Sequence, residues 1–383
     1  MPIPNWKIVN PDGKYRVVVT KELPGKRWME LLTAAGCRIE VSKSTHVLTT
    51  DEILAALGDR CDGAIGQLTE TWGDTLFQAL KNAGGRAYSN YAVGFNNVDI
   101  AAATRHGIPV GNTPGVLTET TAEMAVALTF AAARRLGEAE RFQRQGKYIG
   151  WLPSLFMGAL LFGRTLGIIG AGRIGAAYAR MMVAGHQMNL VYFDIEPNQD
   201  LEAYVRNYAV FLEQQDQPPV SCRRIEQIDD LLKQADVVSI HTVLDESTYH
   251  LINASRLGCM RENAILINTS RGPVIDEAAL VAHCQKYPDF RAGLDVFENE
   301  PAMAPGLVDL ENVVIVPHIA SATRWTRQGM ATLAAANVAA ILQGYPVWTI
   351  PDITPFLSEK APPAAPSILN AKELGFAYSE DPI

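Results

Sequence analysis

The chain reads as an α/β protein of two domains, each built on a parallel, doubly wound sheet. Three observations predict this class. Short apolar strands alternate with helix-forming runs in two separate series, the pattern of parallel sheets covered by helices on both faces. A Gly-x-Gly-x-x-Gly turn lies between a strand and a helix at the start of the second series. At 383 residues the chain is also too long for one typical domain.

The first series occupies residues 15–112. Tyr15-Arg-Val-Val-Val-Thr20 is a buried strand, and the helix Trp28–Ala35 is closed by Gly36. Arg38–Val41 and Asp62–Ile65 are further strands, and a helix from Leu76 to Asn82 stops at Gly84-Gly85. Arg86–Ser89 and Ile108–Val110 complete the alternation. No nucleotide fingerprint occurs here, which makes this unit the candidate substrate domain. After Thr113-Pro-Gly115, an alanine-rich helix runs to Arg135, with Thr120 and Glu123 at capping-box spacing. The stretch Tyr148-Ile-Gly-Trp151-Leu-Pro153-Ser-Leu-Phe156 is aromatic, apolar and loop-like. An exposed apolar arm is a liability unless covered, so it reads as a dimer contact.

The second series opens with an apolar strand that enters Gly170-Ala-Gly172-Arg-Ile-Gly175 and a helix from Ala176 to Met182. Gly170 permits the tight turn, Gly172 lets backbone approach a pyrophosphate, and Gly175 lets helix pack closely on strand. The helix N-terminus offers unpaired N–H groups to phosphate. The next strand, Asn189–Phe193, ends in Asp194, nineteen residues beyond Gly175. A carboxylate there is placed to bond both ribose hydroxyls of NAD and to repel the 2′-phosphate of NADP. A polar insertion, Glu196 to Val220, reads as a surface helix and loop. Strands resume at Ala235–Ile240, Ala264–Asn268, Ala292–Val296 and Val313–Pro317. With the first two these make six. The alanine-rich helix Thr323–Leu342 is expected to return to the first domain, and the proline-rich tail from Pro351 to read as an irregular surface strap.

In an open parallel sheet, ligands bind at the carboxyl ends of the strands. That rule selects Arg271, Asp295, Glu300 and His318, each in or just after a late strand. An Arg can hold a carboxylate bidentately and polarise the neighbouring carbonyl. A His can protonate the oxygen as hydride reaches carbon. A Glu on the other ring nitrogen favours the charged imidazole. Singly these residues could be a strand-end cap, an ion-pair partner and a solvated loop charge; together at one sheet edge they suit carbonyl reduction. Asp295 reads as a cofactor contact rather than a proton acceptor. The other histidines (His46, His106, His186, His241, His250, His283) share no pattern and read as structural, with His241 a candidate cofactor neighbour because it follows a strand.

Composition narrows the class. Hydrophobic residues make up 48% and charged residues 19%, as in a core-forming globular protein. A net charge of −8 without a basic block argues against nucleic acid. No apolar run approaches the roughly 18 residues of a membrane span. Five scattered cysteines without a Cys-x-x-Cys pair fit reduced thiols, and no cluster has metal-ligand spacing, so no metal is expected. The N-terminus lacks signal-peptide and transit-peptide character, and an intracellular location is expected.

Four stretches resemble the D-isomer-specific 2-hydroxyacid dehydrogenases: Gly170–Gly175, Asn268-Thr-Ser-Arg271-Gly272, Leu294-Asp-Val-Phe-Glu-Asn-Glu300-Pro301 and Pro317-His318-Ile-Ala-Ser321. Others look like the plant-type NADH-dependent hydroxypyruvate reductases (glycerate dehydrogenases) of photorespiration. These are Gly66-Gln-Leu-Thr-Glu70, Ser89-Asn-Tyr-Ala-Val-Gly-Phe-Asn-Asn-Val-Asp99, Gly111–Glu123 and Met330-Ala-Thr-Leu-Ala-Ala. This likeness spans nearly the whole chain, including the segment after Asp194 and the proline-rich tail. It implies a central Rossmann-like NAD-binding domain, 118–322, with a dimerisation arm about 124–160, and a flavodoxin-like substrate domain from both chain ends, 1–117 plus 323–383. It also implies Arg271 as the carboxylate and carbonyl anchor, Glu300 as the partner that tunes the acid, and His318 as the acid/base. The Val93-Gly94 amides would grip the substrate carboxylate. Thr121, Arg173, Ile174, Asp194, Thr269 and Asp295, with the glycines, Ser270 and Ser321, would contact NADH.

The expectation is therefore a homodimer that reduces hydroxypyruvate to D-glycerate with NADH in preference to NADPH. Glyoxylate is a side substrate, and closure about 113–120 and 318–323 would exclude water. The alternatives are a reductase of another 2-oxoacid, glyoxylate or D-lactate type, and an NAD(H)-sensing scaffold without turnover. The plant enzymes end in a peroxisomal tripeptide where this sequence has Asp381-Pro382-Ile383, so mitochondrion or cytosol stands beside the peroxisome.

Overall fold

A computed structural model describes residues 6–379, so the C-terminal Asp381-Pro382-Ile383 lies outside the described residues. The chain folds as two compact units, one running to Leu117 and resuming at Ala322, the other spanning Thr118–Ser321.

The first unit holds six strands: β1 Trp6–Val9, β2 Tyr15–Val19, β3 Cys37–Ser42, β4 Gly63–Gly66, β5 Ala87–Asn90 and β6 Val110–Gly111. Their order is β1-β3-β2-β4-β5-β6. All neighbours are parallel except β1, which adds antiparallel to β3. Without that edge strand the order is the flavodoxin-like one. Val17, Val18 and Val19 are all fully buried, because a parallel sheet is covered on both faces. One face carries Trp72, Phe77 and Tyr88, with the Trp72 and Tyr88 rings 4.1 Å apart between centroids. The helix Arg324–Gln343 packs along β4 and β5 and against the helix Arg27–Ala34. It buries an almost unbroken run from Gly329 to Leu342.

The proline-rich tail is irregular, as expected, but it is not a surface strap. Phe356, Ala365 and Asn370 are fully buried, and Ile368 bridges antiparallel to Gly111 on β6. The prolines prevent long helices and strands, while the apolar residues between them fill the unit's core.

The second unit holds seven parallel strands: β7 Thr165–Ile169, β8 Asn189–Phe193, β9 Cys222–Arg224, β10 Val237–Ile240, β11 Ile265–Asn268, β12 Arg291–Leu294 and β13 Val313–Ile315. The order β13-β12-β11-β10-β7-β8-β9 is the dinucleotide-binding order with one strand added at the far edge. The expected count of six missed β9. Its three residues, Cys-Arg-Arg, carry no apolar alternation, and only pairing with β8 reveals it. The supposed insertion after Asp194 is thus a crossover. Its helix Gln199–Glu213 starts at the cap Asn198 and buries Leu201, Val205 and Leu212. The capping-box expectation at Thr120 also fails: the helix runs Thr118–Ala133, so Thr120 lies inside it. That helix packs on β11 and β12 and on the helix Arg173–His186.

Candidate active site

β7 feeds the glycine turn at the switch point, where β7 is flanked by β8 on one side and β10 on the other. Gly170 adopts φ +91°, and a Cβ there would lie 2.8 Å from the backbone of His241 and Thr242. A Cβ on Gly175 would stand 2.0 Å from the Gly170 carbonyl oxygen, so only glycine allows the helix this close to the strand. Gly172 is the N-cap of the helix Arg173–His186; it offers no side-chain cap, and its missing Cβ would meet nothing within 4 Å. Open space before a helix N-terminus is the cradle that a pyrophosphate requires.

Asp194, at the end of β8, is tied into this turn. Its Oδ2 accepts from the Ala171 amide at 2.7 Å and its Oδ1 from the Ile195 amide at 2.7 Å. Each carboxylate oxygen can accept a further hydrogen bond, as ribose recognition needs. Arg224, at the end of β9, donates to the carbonyls of Asp194 (3.0 Å) and Ile195 (2.6 Å) and fixes the same corner.

The candidate reactive groups lie on the loops that follow β11, β12 and β13. Asn268 closes β11: its Oδ1 accepts from the Ser270 amide (3.0 Å) and hydroxyl (2.8 Å), and its Nδ2 donates to the Arg271 carbonyl at 3.0 Å. This folds Thr269–Arg271 into a fixed turn. Among the described residues the buried Thr269 hydroxyl has no protein hydrogen-bond partner, which suits a bound cofactor. Arg271 donates from Nη1 to the Ser270 carbonyl at 2.7 Å. Burial pushes its pKa down, and the Glu300 charge opposes that shift.

Glu300 and His318 form a pair. His318 Nδ1 lies 2.8 Å from Glu300 Oε2, and Glu300 Oε1 accepts from the Phe297 amide at 3.0 Å. Burial pushes the Glu300 carboxyl up, but the hydrogen bond and charge of His318, with the Phe297 amide and Arg271, bring it net below the usual carboxylate range. Glu300 is therefore an anion at neutral pH. It accepts the Nδ1 proton and leaves Nε2 for chemistry.

His318 has φ 50°, a conformation that costs energy in a non-glycine residue. Asp295 supplies the counter-force. Its carbonyl accepts from the His318 amide at 2.8 Å, and its carboxylate accepts from the amides of Ile319 (2.6 Å) and Ala320 (2.9 Å). Asp295 is fully buried; burial raises its pKa and the two amides lower it, with a net rise. Its first role here is to shape the His318 loop. Ser321 follows directly on this loop, and Thr121 is buried in the first turn of the helix Thr118–Ala133.

Several contributors were not anticipated. His250 Nε2 lies 2.8 Å from Glu298 Oε1, while Glu298 and Glu277 exchange backbone amides for carboxylates at 2.7 and 3.1 Å. This brace joins the loop of Arg271 to that of Glu300. A Cβ on Gly272 would stand 1.8 Å from the Phe297 carbonyl oxygen, which requires the same close approach. His241, by contrast, is the candidate cofactor neighbour expected from its place after a strand; it faces Ser239 Oγ at 2.8 Å and the Tyr178 ring at 5.3 Å, and burial lowers its pKa to about 3. It is a neutral wall of the nucleotide turn.

In the first unit, Val93 and Gly94 follow β5 at that sheet's carboxyl edge. Among the described residues their N–H groups donate to no protein acceptor, whereas their carbonyls are held by Asn112 Nδ2 (2.9 Å) and Asn90 Nδ2 (3.1 Å). Among the described residues no group of three His, Cys, Asp or Glu side chains could hold a metal ion. Nor, among the described residues, is any helix long and apolar enough to cross a membrane.

A glycine turn open before a helix N-terminus, with an Arg, a Glu–His pair and a structuring Asp along the same sheet edge, suits an NAD-dependent dehydrogenase. Residues 126–320 match the family model "D-isomer specific 2-hydroxyacid dehydrogenase, NAD binding domain", and the chain belongs to that family. It is 59% identical to glycerate dehydrogenase of Cucumis sativus over 97% of this chain and 98% of that one. It is 57% identical to the peroxisomal glycerate dehydrogenase HPR of Arabidopsis thaliana, over 98% of each. A solved structure, the NADPH-dependent glyoxylate/hydroxypyruvate reductase of Sinorhizobium meliloti in complex with NADP and malonate, superimposes with a TM-score of 0.70 at 30% identity. That match covers 85% of this chain and 93% of the other.

Proposed function

We propose that this chain reduces hydroxypyruvate to D-glycerate with NADH, and glyoxylate more weakly. The observation that carries the chemistry is the 2.8 Å pairing of His318 with an ionised Glu300 on the same sheet edge as Arg271. The plant relatives' names carry the substrate. The bound cofactor supplies hydride to the C2 carbonyl carbon. Arg271 holds the carboxylate and draws electron density toward the carbonyl oxygen. His318 delivers its Nε2 proton to that oxygen, and Glu300 stabilises the charged imidazole beforehand. Asp295 keeps the His318 loop in its strained conformation. In the first unit, the Val93 and Gly94 amides are proposed to bind the substrate carboxylate.

The first unit is proposed to bind substrate and the second the nucleotide, through Gly170, Gly172, Arg173, Ile174, Gly175, Thr121, Thr269, Ser270 and Ser321. Asp194 favours NADH, because its carboxylate would oppose a 2′-phosphate. Ile149 and Trp151 are 92% and 80% exposed on the apolar arm, which supports a homodimer closed over this stretch. The compartment is proposed to be intracellular, the peroxisome by analogy with the Arabidopsis relative standing beside mitochondrion or cytosol, and cell fractionation decides it.

The test is NADH oxidation followed with hydroxypyruvate, glyoxylate and pyruvate in parallel, repeated with NADPH. Hydroxypyruvate with NADH should give the highest kcat/KM. A preference for another 2-oxoacid would replace the substrate and keep the mechanism. NADH binding without turnover would favour a nucleotide sensor.

A further inference from the structure

The proline-rich tail has no part in the chemistry so far, yet it reaches the loop assigned to the substrate carboxylate. Residues 367–369 lie antiparallel against β6. Ile368 bridges Gly111, and the Leu369 amide donates to the Val110 carbonyl at 2.8 Å. Asn370, fully buried, anchors the segment. Its Oδ1 accepts from the Val110 amide at 2.9 Å, and its Nδ2 donates to the Ile108 carbonyl and the Thr104 hydroxyl at 3.0 Å each. Three residues earlier, the Ser367 amide donates to Asn337 Oδ1 at 2.9 Å, and Asn337 Nδ2 donates to the Asn112 carbonyl at 2.9 Å. The Ser367 hydroxyl then donates to Asn112 Oδ1 at 2.6 Å, and Asn112 Nδ2 donates to the Val93 carbonyl at 2.9 Å.

An asparagine amide can face either way, and its partners decide which. The Val93 carbonyl can only accept, so Asn112 presents its NH₂ to it, and the Asn112 oxygen is left to be held by the Ser367 hydroxyl. That bond turns the Val93 carbonyl inward to protein, and the adjoining Val93 and Gly94 amides are the ones left without a protein acceptor. Asn112 is 5% exposed and Asn337 1%, so water cannot substitute freely for these contacts.

We propose that Ser367 and Asn112 are positioning residues for the 2-oxoacid carboxylate, through which the C-terminal tail sets the substrate loop. The proposal rests on the reading of Val93-Gly94 as the carboxylate grip. Because every 2-oxoacid substrate carries that carboxylate, it does not depend on which one is preferred.

The test is a double-mutant cycle with Ser367→Ala and Asn112→Ala, read as KM for hydroxypyruvate and for glyoxylate, kcat, and NADH affinity by fluorescence. Losing one such bond should raise KM about five- to tenfold, by the same factor for both substrates, with kcat and NADH affinity held within twofold. The double variant should be no worse than Asn112→Ala alone, since Ser367 acts through Asn112. Ser367→Thr keeps the hydroxyl and should restore KM; should Asn112→Ala not fold, the Ala and Thr variants at 367 carry the test. Unchanged KM, additive effects, or a loss confined to kcat or NADH affinity would overturn the proposal. If the wild-type protein ignores hydroxypyruvate, the functional reading fails. The cycle is then run on the oxoacid it does reduce, where a KM-only effect still supports the relay and its absence still overturns it.

Discussion

Replacing Glu300 by glutamine isolates what its charge does, because the shape is retained. In the native site one carboxylate oxygen accepts from His318 Nδ1 at 2.8 Å and the other from the Phe297 amide at 3.0 Å. Glutamine keeps a single acceptor. If its oxygen stays on Phe297, its NH₂ faces Nδ1, and two donors oppose each other whenever the imidazole is doubly protonated. A hydrogen bond to a charged group contributes about 1.5–3 kcal/mol, so its loss in the proton-delivering state corresponds to about a 10- to 150-fold fall in kcat. The Phe297 bond survives, the nucleotide turn is untouched, and NADH affinity should stay within about twofold. The assay is the decay of NADH absorbance at saturating substrate, with NADH binding measured separately by fluorescence. A kcat within twofold of wild type would refute the role given to the Glu300 charge.

His318→Ala should lower kcat by at least about a hundredfold with little change in NADH binding; near-wild-type turnover would remove His318 from proton delivery. Asp194→Ala should weaken NADH and relax discrimination against NADPH, and an unchanged NADH/NADPH ratio of kcat/KM would defeat the assignment of that strand end. His241 predicts a pH effect on stability. Its folded pKa is lowered to about 3 by burial, whereas the unfolded side chain titrates near its ordinary value of about 6.5. Between those values only the unfolded chain takes up the proton, so stability falls as pH drops through 6.5 and the loss levels off below 3. From pH 7 to pH 5 this contributes on the order of 1–2 kcal/mol. Urea unfolding of His241→Gln without NADH should lack that component, and an identical pH dependence in the variant would contradict the neutral, half-buried imidazole.

The parts of the fold and site legible in the sequence are those with local signatures. Gly170 and Gly175 had to be glycine for reasons the structure displays, a positive φ at one and a 2.0 Å backbone approach at the other, whereas Gly172 meets open space. Arg271, Glu300 and His318 could be named as candidates because strand ends are recognisable and the carboxyl-edge rule applies to them. What stayed hidden has partners far along the chain or no apolar pattern. β9 is three polar-leaning residues that become a strand only beside β8. Asn268 resembles any strand-end asparagine until its side chain is seen folding the Arg271 turn. The His250–Glu298–Glu277 brace spans 48 and 21 residues, and Ser367 meets Asn112 across 255, distances at which no periodicity speaks. The tail misled for the opposite reason: its prolines indicated irregularity correctly, and irregular backbone was equated with surface.

The central claim is that this chain converts hydroxypyruvate to D-glycerate with NADH. The most direct measurement is product analysis of that reaction by chiral chromatography, alongside the NADH consumed. One D-glycerate formed per NADH oxidised is the result expected. L-glycerate, or no glycerate despite NADH binding, would contradict it.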